Sequence, residues 1–287
     1  ENWESKLILV NDCSTEEIDD NDKDFAIKPT ILNLYSNQGN QKCITIGLSY
    51  VYDNFKEFDY IIVLDADGED KPEDVIRLVA ASKENSDKKI IFSKRAKRNE
   101  SRTYLFFYKI YKILFYLLVG KTINIGHFSC LPKNLLSKIL SVDGIWTHYC
   151  AALIKSGLSY DAVTCDKGKR YKGTTHQKRR MLILHGLAAM IVYQDIIILK
   201  ALIVSLVGFL TAITIFTFIF ITKIFTTLEF GGLNFNTNTM IALTIVLLIF
   251  LQTFILSLYH LINRQSKMSL LNKTIYKKFI LNEKVID

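Results

Sequence analysis

An α/β domain carrying a C-terminal two-helix transmembrane hairpin is the fold class that this sequence predicts. Three observations lead there. Short apolar runs alternate with helical patterns through the first half of the chain, and two acidic motifs fall where such runs end. Near the C-terminus, two stretches with almost no charge each exceed the ~20 residues that a helix needs to cross a bilayer.

In chain order, Lys6–Val10 (KLILV) reads as a short strand ending in polar NDCST, and Ile31–Tyr35 as a second. A glycine-containing loop and a helical pattern over Gln41–Asp53 follow. Asp59–Leu64 (DYIIVL) reads as a buried strand and Lys89–Ser93 as another. Between them, Pro72–Lys83 is a helix with proline pre-set in its first turn. The alternation predicts a sheet covered on both faces, with ligands beyond the carboxyl ends of the strands. The chain begins without Met, and its first strand is followed at once by motifs expected after a second one. An opening strand and its loop are therefore expected to be missing from the sequence.

Mean hydropathy is +0.19 although 22% of residues are charged, so two unlike parts are averaged together. Ile196–Thr222 contains only Lys200, and Met240–Ile262 contains no charge. The intervening Lys223–Thr239 is short and carries Gly231-Gly232. Net charge is +8, and the basic residues concentrate at Lys88–Arg102, Lys167–Arg180 and Arg264–Lys278. The last two clusters flank the apolar stretches. The excess thus reads as juxtamembrane and not as a nucleic-acid-binding face. The positive-inside bias puts both termini and the α/β domain in the cytoplasm and the Gly/Asn loop outside, which makes the protein integral to the cytoplasmic membrane. His176–Asp195 is basic first and then apolar at helical spacing, as an interfacial helix is. Five cysteines without a C-x-x-C pair argue for reduced thiols and against a zinc site. The expected division is 1–166 as the α/β domain, 167–195 as a basic lid loop and interfacial helix, 196–263 as the hairpin and 264–287 as a basic cytoplasmic tail.

The strongest chemical signal is Asp65-Ala66-Asp67-Gly68-Glu69-Asp70-Lys71-Pro72-Glu73, directly after YIIVL. With period-two geometry, Asp65 and Asp67 leave the sheet on the same side. Carboxylates held this close repel unless a cation sits between them, and Mg²⁺ or Mn²⁺ with oxygen ligands resolves that conflict. The competing reading is a solvated strand-to-helix turn whose carboxylates cap the following helix. A second motif, Val10-Asn11-Asp12-Cys13-Ser14-Thr15, also stands at a strand end. There a carboxylate can accept from base N–H groups, or the segment is an Asx turn or helix cap.

Together these pieces resemble the family 2 glycosyltransferases of the GT-A (Rossmann-like) fold, most closely the polyprenyl-phosphate sugar transferases related to dolichol-phosphate mannose synthase. The family's V-D-D-x-S-x-D resembles Val10 through Glu16, its N-x-G loop Asn37-Gln38-Gly39, and its D-A-D-x-Q-x-x-P-E Asp65 through Glu73, with Glu69 where Gln is usual. Its S-R motif is like Ser93-Lys94-Arg95. Its G-x-F-x-L-x-x-R segment is like Gly126 through Lys133, and its R-x-x-G-x-S/T loop like Arg170 through Thr175. The resemblance implies that Asp12 binds the base, that Asp65 lies near the ribose and diphosphate, and that Asp67 with Glu69 holds the metal. It further implies that Arg95, Lys133 and Arg170 meet phosphate oxygens of donor or acceptor. His127 stands where many relatives have an acidic residue, sometimes assigned as the base. A lipid phosphate is already an anion and needs no base, so His127 suits a polyprenyl-phosphate acceptor better than a sugar hydroxyl.

The resemblance therefore implies inverting transfer from a UDP- or GDP-linked sugar to a polyprenyl phosphate, with membrane lipid as a further partner and a homo-oligomer as the assembly. Addition of a sugar to a lipid-linked oligosaccharide or cell-envelope glycan is the alternative. An inactive nucleotide-sugar-binding membrane scaffold is the reading from another class, with Gly208, Ala201, Ser205 and Ala212 available for helix packing.

Overall fold

The computed structural model of the chain describes residues 3–15, 27–95, 102–166, 168, 170, 179–225, 237–267 and 274–286. Contacts divide it into two units: Glu1–Tyr116, Lys121–Val192 and Leu271–Asp287 form one, and Leu117–Gly120 with Tyr193–Leu270 form the other.

Among the described residues, the first unit holds two sheets where a single sheet was expected. In one, β1 (Leu7–Asn11) pairs in parallel with β2 (Pro29–Leu34), as the alternation predicts. Helix α1 (Asn40–Asn54) covers them, and Ile46 and Tyr50 meet Leu32 and Leu34 in one core cluster. The other sheet contains β3 (Tyr60–Val63) and β4 (Ile90–Arg95). Helix α2 (Pro72–Glu84) starts at its proline as read and packs Leu78 and Val79 against Ile91 and Cys130.

Helix α3 (Arg102–Val119) and β5 (Ser129–Pro132) follow, and then α4 (Lys133–Leu140), α5 (Tyr149–Ser156) and β6 (Tyr160–Cys165). Strand β5 lies antiparallel to both β3 and β4, and β6 is parallel to β4, giving the order β3-β5-β4-β6. Among the described residues, no strand joins β1 to β3. Helix α6 (Arg179–Val192) occupies most of the expected interfacial segment. Tyr111 of α3 donates to the Gly186 carbonyl at 3.3 Å, and a Cβ at Gly186 would lie 3.0 Å from the Tyr111 ring, a tight contact.

The expected basic tail 264–287 is corrected in part. A 3-10 turn (Ile275–Phe279) buries Tyr276 in the β1/β2 core, and β7 (Ile280–Val285) pairs antiparallel with β2. Apolar Tyr276, Phe279 and Ile280 supply the burial that a purely basic tail would lack.

The second unit is dominated by α7 (Gln194–Phe225) and α8 (Thr237–Lys267), which extend the two apolar stretches at both ends. Both are long and apolar enough to cross a membrane. Gly208 lets them approach: a Cβ there would lie 2.3 Å from the Phe250 ring. Ser205 and Ala212, on the turns either side, are buried. The expected Gly231-Gly232 loop lies outside the described residues.

Candidate active site

The site is built at the carboxyl ends of β1 and β3. Past β1, Asn11 Oδ1 accepts from the Ser14 amide at 3.1 Å, so the Asx turn is real. It forces Cys13 to φ +58°, a left-handed backbone that side chains rarely adopt. Asp12 turns toward the loop ahead of α1. Its two oxygens accept from the amides of Gln38 (2.6 Å) and Gly39 (2.8 Å). An anion at a helix N-terminus is electrostatically favoured. Gly39 itself takes φ +82°, which suits glycine alone. The Asp12 carboxylate thus clamps the Asn37-Gln38-Gly39 loop, a role that its resemblance to a base-binding residue did not convey. Cys43 lies against it, and burial first, then the Asp12 charge, pushes this thiol up to about 12.

Register brings Asp65 and His127 together. Val63 pairs with Ser129 across antiparallel β3 and β5, and Asp65, two residues after Val63, meets His127, two residues before Ser129. His127 Nε2 lies 2.7 Å from Asp65 Oδ2. The backbone either side of His127 is pinned to β4. The Ser93 amide donates to the Phe128 carbonyl at 2.8 Å, and the Gly126 amide donates to the Ser93 carbonyl at 3.3 Å. Asn40, at the start of α1, donates to Asp65 Oδ1 at 3.0 Å. Asp70 Oδ2 accepts from the Asp65 amide at 2.9 Å. Asp65, Asp70 and His127 each offer a ligand atom, and these atoms lie within 4.8 Å of one another.

Asp67 and Glu69 form a second acidic pair on the same loop, and they converge on Arg170. Its Nη2 is 2.7 Å from Asp67 Oδ2 and 3.3 Å from Glu69 Oε1. Asp67 Oδ1 accepts from the Glu69 amide at 2.9 Å, which fixes the carboxylate. The Gly168 amide donates to the Glu69 carbonyl at 2.8 Å, and a Cβ on Gly168 would lie 2.3 Å from the Gly68 carbonyl oxygen. Asp65 and Asp67 thus face different partners, His127 and Arg170, where strand alternation put them on the same side. The backbone has left extended geometry, and turns begin at Ala66.

Lys133 is not brought to this site. Its amide donates to the Asp59 carbonyl and its Nζ to the Lys56 carbonyl, at the opposite end of β3. The length of that four-residue strand, ~13 Å, separates it from Asp65. Arg95 ends β4 beside Cys165, but its side chain lies outside the described residues, as do Tyr171–Thr175 of the expected lid loop. Sequence reading missed Asn40, Asp70 and Gly168. Asn40 follows the N-x-G loop directly and Asp70 belongs to the acidic run, so both had a signal. Gly168 had only its place in a basic stretch.

Residues 2–140 match the model of Glycosyl transferase family 2. The matched region runs from before β1 to the end of α4 and so contains Asp12, the 65–70 loop and His127. Arg170 and both long helices lie beyond it. No curated protein matches the chain. The family 2 region is thus the part that carries the two acidic motifs and the strand ends beneath them.

Proposed function

We propose that the chain is an inverting, metal-dependent glycosyltransferase that moves a sugar from a UDP- or GDP-linked donor to a polyprenyl phosphate at the cytoplasmic membrane face. One observation carries the reading. Within the family 2 region, the loop after β3 presents two carboxylates, Asp67 and Glu69, that converge on a single cation. That cation is the Arg170 guanidinium, which stands in for an ion, and the hard oxygen donors suit Mg²⁺ or Mn²⁺. Held by Asp67 and Glu69, such an ion supplies neutralisation of charge on the departing diphosphate.

The side chains around it have separable tasks. Asp12 keeps the loop ahead of α1 closed, and Asn40 passes that constraint to Asp65. Arg170, once released from the carboxylates, is a cation for a phosphate oxygen.

Membrane residence is supported by the surface of α7, where Ile203, Val204, Leu210 and Phe218 stand exposed. Left in water, each such side chain forgoes ~1.5–3 kcal/mol of burial. Phe106, Phe107 and Ile110 of α3 and Ile183 and Leu184 of α6 are exposed likewise, beside Lys109 on α3. Apolar rows bordered by lysine suit an anionic leaflet.

A second reading rests on the Asp65–His127 pair. A histidine oriented by a carboxylate is built as a general base, which a hydroxyl acceptor on a lipid-linked glycan requires and a phosphate does not.

The deciding assay incubates the solubilised full chain with Mn²⁺, radiolabelled UDP- or GDP-sugars and polyprenyl phosphate alone. Labelled lipid, lost in Asp67→Ala, is the expected outcome. Label on a lipid-linked glycan but not on the phosphate selects the second reading. No transfer to either, with no Mn²⁺-dependent nucleotide binding, overturns the enzyme reading.

A further inference from the structure

We propose that Asn282, on the strand that follows the hairpin, is a positioning residue for the donor-side turn after β1, acting through a ladder of side-chain amides. The donor assignment rests on the function proposed above; the ladder itself rests on geometry. Asn33 Nδ2 donates to Asn282 Oδ1 at 2.8 Å, and Asn11 Nδ2 donates to Asn33 Oδ1 at 2.8 Å. Asn11 Oδ1 in turn holds the Ser14 amide. Asn11, Asn33 and Asn282 are direct cross-strand partners in β1, β2 and β7, so the amides stand side by side on one face.

Asparagine is a poor strand former. Three in register across three adjacent strands spend strand stability on a polar row, which points to the orientation of the last amide as its use. The turn it holds needs holding, because Cys13 lies in left-handed geometry. A second route leads from the same C-terminal segment to the same place. The Lys42 ammonium lies 5.8 Å from the centre of the Phe279 ring and donates to Gln38 Oε1 at 3.3 Å, and the Gln38 amide is bound by Asp12. The segment emerging from the membrane hairpin thus grips both sides of the Asp12 loop.

The test uses the solubilised full chain, with hydrogen–deuterium exchange over residues 11–15 and Mn²⁺-dependent UDP and GDP affinity. Asn282→Ala is expected to speed exchange in that peptide and to weaken nucleotide binding about fivefold, the equivalent of one hydrogen bond. Asn282→Asp keeps the accepting oxygen and is expected to retain both properties. Leu281→Ala, on the alternate face of β7, is expected to change neither. In an Asn11→Ala background, Asn282→Ala is expected to have no further effect, because the ladder is already cut. Additive losses in that double variant, or unchanged exchange in Asn282→Ala, would overturn the proposal. If the wild-type chain binds no nucleotide yet exchange responds as described, the ladder stands and the donor assignment fails.

Discussion

Replacing Arg170 by glutamine is expected to tighten Mn²⁺ binding. The guanidinium occupies the carboxylates that a cation needs, at 2.7 Å from Asp67 and 3.3 Å from Glu69, with 27% of its side chain exposed. A charge-assisted hydrogen bond at the shorter distance is worth ~1.5–3 kcal/mol. The longer contact adds little, and partial exposure lowers the total by screening. About 2 kcal/mol must then be surrendered when an ion displaces Arg170. At ~1.4 kcal/mol per tenfold, Arg170→Gln should bind Mn²⁺ ~30-fold more tightly. Loss of the free Mn²⁺ paramagnetic signal on titration measures this without any turnover. Turnover itself should fall, because the released guanidinium is assigned a phosphate contact. Gly168→Ala reaches the same end by another path, since its Cβ would press on the Gly68 carbonyl and undock the segment. Unchanged or weaker Mn²⁺ binding in both variants would refute the competition.

Two further outcomes follow from packing. His148 caps α5 through Nδ1, and burial first, then neighbouring His185, lowers it to about 3. Its folded pKa lies below the unfolded value, so stability is intact above pH ~6.5 and falls as the pH drops. Between pH 7.5 and 5 the loss is about 2 kcal/mol, and His185, shifted the same way, adds to it. His148→Asn keeps a capping oxygen and should flatten the thermal midpoint against pH; an unchanged slope would show that His148 does not carry it. Gly208→Leu overpacks the α7/α8 contact against Phe250 and should cost ~1–3 kcal/mol, read as a lower thermal midpoint. Retention of the wild-type midpoint would show that the helices do not rely on that approach.

The elements legible in the sequence were those whose signal is local. KLILV, YIIVL and the Pro72 helix start appear where their apolar runs and proline place them, and the two long apolar stretches became the long helices. The site was legible as a set of residues but not as a set of pairs. Period-two alternation put Asp65 beside Asp67, whereas the turn beginning at Ala66 sends Asp65 to His127 and Asp67 to Arg170. Those partners lie 62 and 103 residues away in sequence, and only sheet register and chain return bring them near. Lys133 shows the converse. Its spacing from Gly126 matched a motif, but the antiparallel run of β5 carries it away from the carboxylates.

Strand β7 had no readable signal, and it bears most on topology. ILNEKV is polar and mostly exposed, an edge strand without alternation. It is recruited because β2 has an open edge and because Tyr276, Glu283 and Phe279 find Asp53, Tyr50 and Trp146 on the unit already built. The chain therefore leaves the first unit after Val192 and re-enters it by Leu271. On the proposed membrane reading, a strand cannot bond to a sheet across a bilayer, so the number of spans between those points is even. Two apolar helices satisfy that condition, and one membrane-crossing helix paired with one lying flat does not. On the same proposal, basic residues crowding both ends of the segment assign the sheet to the positive-inside face. An accessibility tag placed at Asn234 should therefore report the face opposite to one at Asp287, and the same face for both would break the chain of reasoning from β7.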